Sequence, residues 1–330
     1  MVKTLEKLST VTGSIDGNNV GKTLMHEHFV FGYPGFAGDK TFGPFDRKKA
    51  LEISIAAAER AKAYGVQTIV DATPNECGRD VRILKEVSEK TGVNIVCATG
   101  YYFEGEGASA YFKFRNALGD GLKEIYELML REVTEGIDDT GIKAGVIKLA
   151  SSKNIITDYE RMFFKAAAKV QKETGVHIIT HTQEGTMGPE QAELLLAEGA
   201  DPNRIMIGHM CGNTDIKYAA QVLEKGVYIG FDRFGLEGFI GCPTDREREA
   251  LAVSLLALGY EDKIMFSHDT VNVMLGRTVV FPPALREIMA NQHIARIFEI
   301  IIPDLKNMGV TDEQIEKIMI KNPEHFFQMK

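Results

Sequence analysis

AGVIKLASSKNIITDYERMFFKAAAKVQKETGVHIITHTQ, residues 144–183, spells out one complete strand–helix–strand unit. Its ends, AGVIKLA (144–150) and HIITHTQ (177–183), are short runs rich in β-branched and apolar residues, the pattern of strands buried on both faces. Between them, DYERMFFKAAAKVQKET carries apolar residues at helical spacing among good helix formers, and Gly175 ends it as a C-terminal cap.

The same unit recurs in both directions. Strand-like segments read KTLMHEHFV (22–30), QTIVDAT (67–73), NIVCATG (94–100), RIMIGHM (204–210), VYIGFDR (227–233) and KIMFSHDT (263–270), giving eight in all. Helical stretches such as RKKALEISIAAAERAKAY (47–64) separate most of them. Eight strands alternating with helices call for a parallel sheet closed into a (β/α)8 TIM barrel, an open doubly wound sheet being the structural alternative. No Gly- or Pro-rich linker divides the chain, so residues 1–330 read as a single domain with a short N-terminal extension and C-terminal helices. Thr311 and Gln314 have capping-box spacing at one of those helices, and the tail NPEHFFQMK is assigned a packing role.

Composition narrows the function classes. With 44% hydrophobic and 25% charged residues the chain can bury a large core. A formal charge of −8 argues against nucleic acid as a partner. No apolar run approaches the roughly 20 residues needed to span a bilayer, and the start lacks a signal-peptide pattern, so neither a membrane nor export is expected and the chain reads as cytoplasmic. Cys77, Cys97, Cys211 and Cys242 form no CxxC pair, which suggests neither a thiolate zinc site nor a disulfide framework.

In a parallel barrel the reactive groups lie at the C-terminal ends of the strands. His26 and His28 end the first strand, Lys148 lies on the fourth, His181 on the fifth, His209 on the sixth, and His268 and Asp269 end the eighth. His26 and His28 are two apart, so both project from one side of their strand while Glu27 faces the other way. A lone HxH is a weak motif, but five of the eight histidines fall at strand ends, and burying so many without ligands or hydrogen-bond partners is costly. Imidazole and carboxylate donors suit Zn2+, Mn2+, Co2+ or Fe2+. Lys148 is the odd member, because an ammonium would be repelled by cations; either it is solvated or salt-bridged, or CO2 has converted it to a carbamate able to bridge two metals. His268 is either support for a ligand or simple packing.

In this order and on these strands, TLMHEH, VIKLA, THT, IGH and SHD resemble the phosphotriesterase-related branch of the amidohydrolase superfamily, over nearly the whole chain. The resemblance implies two divalent metal ions, zinc first. His26, His28 and Asp269 would hold one, His181 and His209 the other, and carbamylated Lys148 and a hydroxide would bridge them. Asp269 would also shuttle a proton to the leaving group. Within the family, Asp232 and Arg233 in YIGFDRFG and Tyr102 in TGYYF look like the lactonases, Tyr102 lying near the substrate carbonyl. The segment MCGNTD after His209 lacks the acidic residue of the phosphotriesterase relay, for which Asp215 is a displaced substitute.

The expected reaction is therefore opening of a lactone by an attacking hydroxide. Substrate choice should rest on GLEGFIGCPTDRERE (235–249) and VNVMLGRTVVFPP (271–283), loops at the variable face. Arg246, Arg277, Lys217 and Arg233 are candidates for a small anion pocket, which points to a phosphorylated or plain sugar lactone. Against this, Thr244 and Glu247 look like a capping box, which would make Arg246 and above all Arg248 helix-surface charges. Acyl-homoserine lactones or phosphotriesters are alternative substrates, and a non-catalytic binding barrel is the alternative from another class. Relatives of this kind often form homodimers.

Overall fold

The computed structural model describes residues 5–238 and 241–328; Phe239 and Ile240 of the 235–249 loop, and the last two residues of the tail, lie outside the described residues. In chain order the strands are β1 (Leu8–Thr10), β2 (Gly13–Ile15), β3 (Thr23–Phe31), β4 (Thr68–Asp71), β5 (Asn94–Gly100) and β6 (Val146–Ser151). They continue with β7 (His177–Thr182), β8 (Ile205–Ile207), β9 (Tyr228–Phe231), β10 (Ile264–Phe266) and β11 (Val271–Met274). β1 and β2 form an antiparallel hairpin, and the other nine make one parallel sheet in the order β10-β9-β8-β7-β6-β5-β4-β3-β11.

The sheet closes on itself at β3. His26 N donates to Ser267 Oγ at 2.9 Å, Asp269 N to the His26 carbonyl at 3.0 Å and His28 N to the Thr270 carbonyl at 2.8 Å. β10 and β11 are thus two halves of one broken eighth strand, and the architecture is the (β/α)8 barrel. Helices Arg47–Lys62, Val81–Thr91, Gly121–Thr134, Asp158–Thr174, Gly188–Ala197, Ile216–Leu223 and Asp245–Ala257 each follow a strand and cover the outside. Gly175 ends its helix at φ 77°, and Thr157–Glu160, Thr244–Glu247 and Thr311–Gln314 form capping boxes. No helix among the described residues is long and apolar enough to cross a membrane.

Two apolar layers explain why the strands read as continuous runs. One lies between strands and helices; the other fills the barrel and takes Met25, Val70, Val96, Val146, Ile179, Met206, Tyr228 and Met265, one from each barrel strand, with Phe326 and Phe327 packed among them. The tail thus plugs this floor, in keeping with its expected packing role. Side chains two residues further along β6 and β7 face the same interior, and these are Lys148 and His181. On β3 a register shift between Leu24 and Glu27 lets Met25 join the floor and the neighbouring His26 face the cavity above it.

Two expectations need correction. The segments 204–210, 227–233 and 263–270 form shorter strands than their apolar pattern suggests, because the chain leaves extended geometry to present polar groups: His209 has φ 58° and Asp269 φ 56°. Arg248 is not a surface charge. It is wholly buried, donating to Asp245 Oδ1 at 2.8 Å and to the Leu236 carbonyl at 2.6 Å, because the 235–238 segment folds over the first turn of its helix.

Candidate metal centre

The strand ends converge on a cavity of about 200 Å3 lined by His26, His28, Lys148, His181, Arg233 and Asp269, with Tyr102 and Tyr33 at its wall. His26 and His209 are both braced by Asp232. Its Oδ2 accepts from His26 Nδ1 at 2.8 Å and its Oδ1 from His209 Nδ1 at 2.9 Å, while the backbone N–H of His209 adds a bond of 2.7 Å. An ionised carboxylate only accepts, so both rings carry their proton on Nδ1 and turn a bare Nε2 lone pair inward.

His28 reaches the same state by another route. The Thr73 hydroxyl has one proton, which it gives to the Val30 carbonyl at 3.2 Å, so its oxygen accepts from His28 Nδ1 at 2.8 Å. His28 Nε2 then lies 3.0 Å from Asp269 Oδ1 with no proton between two acceptors. His209 Nε2 is buried without a hydrogen-bond partner among the described residues. On the fifth strand, His181 Nε2 donates to Gln183 Oε1 at 2.7 Å, which leaves Nδ1 as the lone pair.

The electrostatics match. Burial first, then the Arg233 guanidinium, holds His181 and His209 well below the usual imidazole range, so both are neutral. For Asp269, burial works upward, but the Arg233 guanidinium outweighs it and keeps the carboxylate ionised. Arg233 Nε donates to Asp269 Oδ2 at 2.9 Å. Burial pushes the Lys148 ammonium down to about 8, and its Nζ lies 2.7 Å from His26 Nε2. An orphaned imidazole nitrogen, facing acceptors and neutral rings form a donor set that fits a divalent cation. His26, His28 and Asp269 bring their donor atoms close enough to share one, while the neighbouring group of His26, His209 and Asp232 is the hydrogen-bonded brace.

The remaining expected residues divide. The half-buried Tyr102 ring packs against His181 at 5.0 Å between centroids, and its backbone N–H donates to Glu76 Oε1 at 2.6 Å. His268 turns away from the cavity, with Nδ1 2.7 Å from Glu27 Oε1 and Nε2 accepting from Ile297 N at 3.1 Å. Arg277, Lys217 and Arg246 do not line the cavity. Arg277 is exposed, paired with Asp39 and laid over the Phe42 ring, while Arg246 is 75% exposed beside Glu249. Lys217 sits in the exposed first turn of a helix that Asp215 caps, so Asp215 serves the helix and no relay. Thr73, Gln183, Glu106 and Gln292 contribute here without having been singled out in the sequence. Thr73 and Gln183 each close a strand segment at the catalytic face, and that position was a usable signal; Glu106 and Gln292 lie on loops and carried none.

Comparison with known proteins agrees with this geometry. The family model described as the phosphotriesterase family matches residues 6–327. An aryldialkylphosphatase of Saccharolobus solfataricus is 36% identical over 315 residues, 95% of this chain and 97% of that protein. The solved structure of an organophosphorus hydrolase from Deinococcus radiodurans is 54% identical with a TM-score of 0.97, covering 98% of this chain and 97% of that one. A mutant of a Deinococcus radiodurans PTE-like lactonase is also 54% identical, with a TM-score of 0.96 over 97% of this chain and 99% of that one. With His26, His28, His181, Lys148 and Asp269 lining one cavity and the family model spanning nearly its whole length, the chain belongs to the phosphotriesterase family.

Proposed function

We propose that this chain is a metal-dependent lactonase that opens the ring of a neutral lactone bearing an apolar arm. The observation that carries the reading is the set of imidazole lone pairs turned with Asp269 into one cavity beside Arg233 and Tyr102. His26, His28 and Asp269 would hold one divalent cation and His181 and His209 a second, zinc being the first choice. Such a pair supplies an activated water and polarises the substrate carbonyl.

The chain's own groups do the rest. Burial holds the Lys148 ammonium down to about 8, so a share of it is free amine near neutral pH; that amine is able to add CO2, forming an N–C bond and releasing a proton, and the residue becomes an anion with two donor oxygens. Asp269 takes a proton from the attacking water and returns it to the leaving alkoxide, and Arg233 fixes its orientation. The Tyr102 hydroxyl, kept protonated by burial, donates to the carbonyl oxygen as it gains charge.

The lining favours a neutral substrate. Phe31, Leu236, Val271, Met274 and Met289 supply apolar surface, Glu106 adds a carboxylate, and the two lining cations are Arg233, engaged by Asp269, and Lys148. With Arg277, Arg246 and Lys217 elsewhere, the anion pocket behind a phosphorylated sugar lactone has no support. A pH-indicator assay of the zinc-loaded protein against acyl-homoserine lactones, plain and phosphorylated sugar lactones and paraoxon tests this. Highest kcat/KM on an acyl lactone is expected; preference for the phosphorylated sugar lactone would overturn the substrate reading.

A further inference from the structure

Asp269 occupies a left-handed conformation at φ 56°, which is strained for a residue with a side chain and persists only where the surroundings over-determine it. Backbone bonds to His26 and His28 and the Gln292 amide on the Asp269 carbonyl hold part of the turn, and one side chain gathers the rest. Glu27, wholly buried, accepts five hydrogen bonds, every one from the residues flanking Asp269. Its Oε1 takes Ser267 Oγ at 2.7 Å, His268 N at 2.9 Å and His268 Nδ1 at 2.7 Å, and its Oε2 takes Thr270 N at 2.9 Å and the Thr270 hydroxyl.

The donors are locked in turn. His268 Nε2 accepts from Ile297 N, which fixes the tautomer that gives its Nδ1 proton to Glu27. Ser267 Oγ accepts from His26 N, so the brace also sets the backbone of a second ligand. Glu27 lies between His26 and His28 in the sequence but faces the opposite way, so it clamps the break between β10 and β11 from behind while they face the cavity. Simple barrel closure would be served by the backbone bonds of His26 and His28 alone.

We infer that Glu27 is a positioning residue for the metal centre, holding the 267–270 turn so that Asp269 meets His26 and His28. The inference rests on the proposed role of Asp269 as a ligand. In Glu27→Gln one acceptor oxygen becomes an NH2 facing the Thr270 donors, and the turn loses its clamp.

The test measures zinc affinity by chelator competition, kcat and KM at 25 °C, and Tm, for Glu27→Gln, Thr270→Val, Asp269→Asn and Ile125→Ala. Ile125 lies in the outer apolar layer, so its variant is a control for lost stability alone. Supporting results are a zinc affinity lowered about 10- to 100-fold in Glu27→Gln with kcat reduced and KM little changed, and a smaller loss of the same kind in Thr270→Val. Ile125→Ala should lower Tm and leave affinity intact. If Glu27→Gln does not fold, Thr270→Val decides. Normal affinity in the Glu27 and Thr270 variants with weakened Asp269→Asn overturns this inference alone; normal affinity in Asp269→Asn overturns the ligand reading beneath it.

Discussion

Replacing Asp232 by Asn alters one atom at a position that the chemistry makes unforgiving. The carboxylate accepts three hydrogen bonds at 2.7 to 2.9 Å, two of them from the Nδ1 atoms of His26 and His209. An amide has a single acceptor oxygen. One ring must then face NH2, move its proton to Nε2 and point that proton into the cavity where a lone pair is needed. Losing the partner that orients a ligand histidine typically costs 10- to 100-fold in metal affinity, or about 1.4–2.7 kcal/mol. The fold should survive, because the apolar floor beneath is untouched. Competition against a chromophoric chelator would read the affinity, and circular dichroism the fold. An unchanged affinity in a folded Asp232→Asn protein would refute the tautomer argument.

Three further outcomes follow from the same physics. Burial pushes the Glu76 carboxyl up to about 7, so folding stability from this group is fully present below the unfolded value of about 4.5 and is lost as pH rises through 7; Glu76→Gln should flatten that fall by on the order of 2–3 kcal/mol in denaturant titrations at pH 4.5 and 7.5. Arg248→Ala leaves a cavity and removes a partner from buried Asp245, which should cost about 3–5 kcal/mol and appear as a lowered Tm. Gly100→Ala should abolish zinc binding or folding, as seen by metal analysis of the purified protein, because a Cβ there meets the Lys148 carbonyl oxygen at 1.9 Å and the backbone sits at φ 129°.

Most of the barrel was legible because strands buried on both faces leave unbroken apolar runs, and the helix punctuation of Gly175, Thr244 and Thr311 is local chemistry. Lys148 and His181 were legible for a similar reason: each lies two residues past an interior apolar side chain and must face the same space. His26, His28, His209 and Asp269 were found by their place at the strand ends, although a register shift and two left-handed residues present His26, His209 and Asp269. What stayed hidden depends on tertiary contacts. Arg248 has the local pattern of a solvated helix start, yet a loop folds over it. Arg277, in an apolar stretch, looked like a substrate contact, whereas its partner Asp39 lies 238 residues away in sequence. Glu27 was seen only as the residue facing away from a histidine pair; its five donors come from the far end of the chain.

The central claim is that this histidine cluster is a metal centre that opens a lactone. The decisive measurement is stepwise reconstitution: strip the protein with a chelator, return zinc in known equivalents and follow acyl-lactone hydrolysis at each step. The account predicts no turnover in the stripped protein, recovery that saturates at about two equivalents, and none in His26→Ala. Turnover that persists in the stripped protein, or zinc that binds without restoring it, would contradict the account.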